Sequence, residues 1–222
     1  ELGAFQVALL PEARTQQLDA MRQHASTLLP SLLWQLNQPP TPLFAPAAEL
    51  AADLDAGECV PALLAALNGT VARARGPALR ALDRLQPLSD GELAQLAPDA
   101  VANESLGLAW LEIVASRSST ECTLAALALL AAPSPRVRER AAAILPDELP
   151  AAAVSTLLAM ADEPAAGTAA LALLDRCPVT PEWVQALMER LAAAEPDTQV
   201  QLFARWQRLM AQEPVRSLLQ RT

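Results

Sequence analysis

The stretch "PSPRVRERAAAILPD", residues 133–147, decides how this chain is read. It opens with Ser134-Pro135, places Arg136, Arg138 and Arg140 within five residues, and then turns to alanine and branched aliphatics. At about 100° per residue, Val137, Ala141, Ile144 and Leu145 fall on one face of a helix. Arg136 and Arg140 trail that face by one position, and Arg138 and Glu139 turn toward the open side or the preceding turn. Proline is tolerated at a first helical position, where its missing N–H has no intrahelical partner. The stretch therefore predicts a short amphipathic helix. A helix of this length is marginal alone and needs neighbours to bury its apolar stripe.

Working outward, the same pattern recurs. An apolar helix, a break and a second helix carrying Arg or Asp begin near Gly57, Ser89, Ser119, Leu149 and Thr180, at intervals of 32, 30, 30 and 31 residues. First helices include "ECVPALLAALN" and "PEWVQALMERLAA"; second helices include "ARARGPALRALDRL" and "DTQVQLFARWQRLM". Val60, Leu63, Leu64 and Leu67, and again Val184, Leu187, Met188 and Leu191, give the spacing of a half-buried helix. Leu127 and Ile144 are expected in a core shared by neighbouring units. Ser89 with Glu92 and Ser118 with Glu121 fit capping boxes. Ser134 and Thr180 are expected N-caps before proline. A constant period of this kind is the signature of stacked helical hairpins.

Composition agrees. The 222 residues are 52% hydrophobic but only 3% aromatic, and alanine and leucine supply most of the apolar content. Both are strong helix formers, so the reading is all-α. Nineteen prolines against seven glycines punctuate helix starts. Every basic residue is Arg, a bias that a GC-rich bacterial genome produces. The net charge of -9 disfavours nucleic acid and anionic membrane. No apolar run reaches the roughly 18 residues of a membrane span, so no membrane insertion is expected. Cys59, Cys122 and Cys177 are odd in number and lack CxxC spacing. They read as buried thiols in a reducing, cytoplasmic compartment.

Residues 1–56 differ from the rest. "LPEARTQQLDAMRQHASTLLPSLLWQLNQ" has helical periodicity broken at Pro30, with Leu18, Met21, Leu28, Leu32 and Leu36 as apolar points. "PPTPLFAP", residues 39–46, reads as a rigid or extended connection. The segment is expected to cap the first repeat, since a solenoid must cover its exposed apolar end. The rival reading has it docking onto another protein.

"PSPRVRERAAAIL" resembles the second-helix signature of HEAT repeats, in which a proline precedes Val-Arg, then Ala, then an aliphatic residue. Val137, Arg138, Ala141 and Leu145 match in order. The resemblance extends over about residues 57–213, more loosely in "VARARGPALRAL" and "AAGTAALALL". It implies an α-α superhelix, a HEAT-like solenoid of about five hairpins over residues 57–222 with a C-terminal helix, preceded by the N-terminal helical cap. The chain departs from the family pattern in lacking an Asp before the Val-Arg pair, so a regular Asp–Arg ladder between units is not expected. HEAT-like folds host many roles, so the resemblance assigns architecture rather than activity.

Catalytic motifs are not found. His24 is the only histidine, which rules out a metal site of two or more His ligands and the His-Glu iron motifs of HEAT-like hydroxylases. There is no GxSxG, Walker-type glycine loop or GxGxxG. The pairs Asp53/Asp55 and Asp162/Glu163 sit at helix ends or turns, where acids serve as solvated caps. The chain reads as no enzyme, with neither cofactor nor metal.

Charge placement carries what remains. Ten of the sixteen arginines, but only six acids, lie on second helices or their edges. The HEAT resemblance puts second helices on an inner, concave surface. Arg73, Arg80 and Arg84, Arg136 and Arg140, and Arg205 and Arg208 are then candidate partner-binding residues. The functional expectation is a protein–protein interaction scaffold holding an acidic or amphipathic segment of another protein. The alternative is a nucleic-acid-binding or base-excision protein resembling the HEAT-like alkylpurine DNA glycosylases. Trp110, Trp183 and Trp206, with Asp83 and Asp175, would be its nominal site residues.

Overall fold

Helix starts in this chain are set by side chains that satisfy otherwise orphaned N–H groups. Ser89 and Glu92 form a reciprocal capping box: the Ser89 N–H donates to Glu92 Oε2 at 2.8 Å, and the Glu92 N–H donates to Ser89 Oγ at 3.3 Å. Asn103 accepts from the Leu106 N–H at 3.0 Å, and Thr180 from the Trp183 N–H at 3.1 Å. The expected box at Ser118 and Glu121 moves by one residue. Ser119 is the N-cap and accepts from the Cys122 N–H at 3.4 Å, which leaves Glu121 out of register. Ser134 holds the N-cap position before Pro135, but its hydroxyl is buried without a partner.

The computed structural model describes residues 20–21 and 24–210, with the side chains of 208–210 excepted. Among the described residues it is all helix, with no strand. The α-helices are α1 Ala25–Asn37, α2 Phe44–Asp53, α3 Val60–Leu67, α4 Ala72–Leu85, α5 Asp90–Ala102 and α6 Glu104–Val114. They continue as α7 Thr120–Ala128, α8 Pro135–Ile144, α9 Ala153–Ala159, α10 Gly167–Leu174, α11 Pro181–Ala193 and α12 Pro196–Met210. Short 3-10 turns at Gly57–Cys59 and Leu129–Ala131 lead into α3 and out of α7. Two compact units result, Glu1–Ser116 and Arg117–Thr222.

Consecutive helices pair as hairpins, and within each unit the hairpins pack on their neighbours. In the first unit the second helices α2, α4 and α6 form a row, with α3 on α4, α5 on α6 and α1 on both α2 and α3. In the second unit the first helices form the row, with α9 between α7 and α11, while α8, α10 and α12 pack on their own partners. Small residues let the α2–α4–α6 row approach closely: Ala47, Ala48, Ala51, Ala74, Ala78, Ala81 and Ala109 are all buried. At Gly76 the approach leaves no room for a side chain: a Cβ there would lie 2.7 Å from the Ser105 carbonyl carbon.

Two expectations about the N-terminal segment change. Pro30 does not break the first helix; it lies inside α1 on its exposed side, where water can satisfy the freed carbonyl. The stretch from Phe44 is helical, because Pro46 sits in the first turn of α2, where no intrahelical N–H is required. Residues 25–53 thus form a hairpin before the first expected repeat. Leu32 and Leu36 are buried and Leu28 half-buried, while Leu18 lies outside the described residues, as does the stretch after Met210.

The helix α2 ends in a left-handed turn. Asp55 has φ 55°, the Asp55 N–H donates to the Ala52 carbonyl at 3.2 Å, and the Ala56 N–H donates to the Ala51 carbonyl at 2.9 Å. This is the paired bonding of a Schellman motif, with Asp in the position that usually holds Gly.

Candidate functional site

Every second-helix arginine starts as a long cation on a helix edge, and its surroundings decide whether it is available. In the first unit the neighbouring hairpin supplies an acceptor or a counter-ion in each case. Arg84, in the last turn of α4, pairs with Asp53 at the end of α2, 31 residues earlier. Asp53 is only 8% exposed, so it is a buried counter-ion and not the solvated cap expected. Arg80 reaches Glu112 of α6 at 3.6 Å. Arg73 donates to the Pro40 carbonyl, 33 residues back, at the turn that precedes α2. Arg75, on the same helix, bonds the Leu67 carbonyl at 2.7 Å and pairs with Asp99 of α5.

The second unit repeats the device. Arg176 donates at 3.3 Å to the Leu145 carbonyl at the end of α8, again 31 residues back. A cation there also complements the negative end of the helix dipole. Arg205 of α12 faces Asp175 at 3.4 Å and is 13% exposed. Arg190 of α11 pairs with Asp162, leaving Asp162 Oδ1 and Arg190 Nε buried without partners. A neutral counterpart in the first unit is Asn103, which caps α6 with its oxygen and donates its amide to the Ala72 carbonyl at 3.2 Å, 31 residues earlier.

These separations cluster on the sequence period, so the ties join equivalent points of successive hairpins. A cross-hairpin Asp–Arg pairing that the sequence did not lead us to expect is present at Asp53–Arg84 and Asp175–Arg205.

Arg136 and Arg140 are exposed on α8, opposite buried Val137 and Ala141, in the orientation that the helical phase predicts. Arg138 turns back to the Ala132 and Pro133 carbonyls at 2.8 and 2.9 Å, fixing the turn before the helix. The side chain of Arg208 lies outside the described residues. The seven candidate arginines are thus brought onto second helices, four of them beside a neighbouring hairpin.

The tryptophans divide sharply. Trp110 is fully buried and its indole N–H donates to the Leu93 carbonyl at 2.7 Å. Trp183 is buried as well, and Trp206 half-buried. Asp83 accepts from the Leu88 N–H at 3.3 Å and closes the turn after α4. Trp34 is the exception, 63% exposed on α1.

That exposure points to a surface that sequence reasoning missed. Leu64, expected on the buried stripe of α3, is 41% exposed, because Cys59, Ala62, Leu63 and Leu67 take the core side. Leu43 is also exposed at the start of α2. Residues 25–48 and 59–72 contain no Asp, Glu or Arg, so the exposed sides of α1 and α3 carry Thr27, Pro30, Ser31, Trp34, Pro61, Leu64 and Ala65 without a charge. The signal was legible: two charge-free runs, one holding a Trp, in a chain that is 18% charged.

Among the described residues, the ionisable groups with resolved shifts are tuned by burial, nearby carboxylates and helix caps. Burial pushes the Cys177 thiol up to about 11, helped by Asp175, and raises the Cys59 thiol in the same way. Glu92 is held below its ordinary value by the Ser89 hydroxyl and N–H, and Glu182 by its own N–H and the Thr180 hydroxyl. Among the described residues, no group of three or more His, Cys, Asp or Glu is placed to hold a metal ion, and no helix is long and apolar enough to cross a membrane. No family model matches the chain, and no curated protein or solved structure is significantly similar to it.

Proposed function

We propose that this chain is a non-enzymatic protein-interaction module of stacked helical hairpins, of the HEAT-like solenoid kind, and that it binds the apolar side of an amphipathic segment of another protein. The observation that carries the reading is the uncharged exposed side of α1 and α3 with Trp34 at its most accessible point. A lone exposed leucine is ordinary on any protein surface. A solvent-facing Trp on helices without one charged residue is not, and Trp is the side chain most enriched among residues that dominate binding energy. Charge depletion with aromatic enrichment is also the compositional mark of an interface centre. The one-period ties between hairpins support the solenoid reading, and the hairpin of α1 and α2, packed on α3 and α4, supports a terminal capping role for residues 1–56.

On this reading the arginines rank behind the apolar surface. Arg73 has an acceptor, and Arg80, Arg84 and Arg205 have counter-ions, in adjoining hairpins, so recruiting them to an acidic ligand would break existing contacts. Arg136 and Arg140 stand as the rival contact point. The test is affinity capture with the intact chain, followed by titration of the purified pair. Trp34→Ser with Leu64→Ser is compared with Arg136→Glu with Arg140→Glu. Loss of the captured protein from the first variant alone, with its unfolding transition unchanged, supports the proposal. Loss from the second variant alone moves the site to α8, and capture of nothing above background by the intact chain refutes the reading.

A further inference from the structure

We draw no further inference here: the strongest candidate, the exposed apolar strip of Val200 and Phe203 on α12, carries nothing because no feature of the structure shows what covers it.

Discussion

Replacing Gly76 with Ala reverses an ordinary rule. In a helix interior Ala is preferred to Gly by about 1 kcal/mol, since Gly loses more backbone freedom on folding. Position 76 is interior to α4, so propensity alone predicts stabilisation, lessened because the ring of Pro77 crowds a Cβ on the helical residue before it. The added Cβ would lie 2.7 Å from the Ser105 carbonyl carbon of α6 and closer still to its oxygen. An ordinary carbon–carbon contact needs about 3.5 Å, so the two helices must part by at least about 0.8 Å, and the nearer carbonyl oxygen demands more. The target is backbone, which cannot rotate aside as a side chain can. Nor can α4 retreat freely, because α2 and α3 pack on it as well. Forcing extra volume into such packing costs about 1–3 kcal/mol, and a backbone obstacle belongs at the upper end. Subtracting the propensity gain leaves a net loss of about 2 kcal/mol. Urea unfolding followed by far-ultraviolet circular dichroism measures it. Gly57→Ala is the control: no atom lies within 4 Å of the added methyl and φ is not positive, so stability should stay level or rise by up to about 1 kcal/mol. A Gly76→Ala protein as stable as the parent would refute the close α4–α6 approach.

Three other outcomes are expected. Asp55→Gly should stabilise by about 0.5–1 kcal/mol in the same unfolding assay, because the left-handed turn that closes α2 suits Gly better than an L side chain; a loss would show that the Asp side chain is needed there. A double-mutant cycle on Asp53 and Arg84 should give a coupling of about 1 kcal/mol or more, against under about 0.5 kcal/mol for exposed Arg80 and Glu112, with equal couplings counting against the burial argument. Cys177, whose thiol is raised to about 11, should resist a maleimide at neutral pH until the chain is unfolded. Its contribution to stability should be full below pH 9 and lost as the pH climbs toward 11, so an unfolding free energy that is flat over that window would contradict its burial.

Helix positions were legible because they depend on local chemistry. Capping residues, first-turn prolines and a 30-to-32-residue period act over a few neighbours, and Ser89, Thr180 and Pro135 stand where their types predict. Helix faces were less legible. In an Ala- and Leu-rich helix, several phases of the 3.6-residue pattern offer an apolar stripe, and large side chains weigh most in choosing one. The fold instead buries Ala62 and leaves Leu64 and Met188 exposed, because closely packed helices need small residues at the contact. Ile144 departs for a different reason: Leu127 is fully buried, but Ile144 only partly, since the equally large Leu145 next to it takes the core position. Proline misled in the opposite direction. A count of prolines over residues 39–46 suggests extended chain, yet Pro46 falls within the first turn of α2, where proline costs little.

The arginines show why a surface cannot be read from charge counts on single helices. Ten arginines against six acids on the second helices suggest an excess of positive charge facing one way. That count omits Asp53, since the segment containing it reads as a cap and connection and not as part of the repeating hairpins. It also treats each helix as facing solvent. Once hairpins stack, the nearest neighbour of an arginine on one second helix is the same region of the helix one period away, as Arg84 with Asp53 and Arg205 with Asp175 show. A guanidinium with a counter-ion 30 or 31 residues distant ties one hairpin to the next, and that carboxylate offsets part of its field. The uncharged runs behave differently. No partner is needed to explain a solvated arginine, but water gives no reason to keep Trp34 and Leu64 on the outside of α1 and α3 while charges are absent from both. Arg84 and Arg205 are accounted for by their neighbours within each unit, and the ligand proposed for this chain is matched to the uncharged side of α1 and α3 instead.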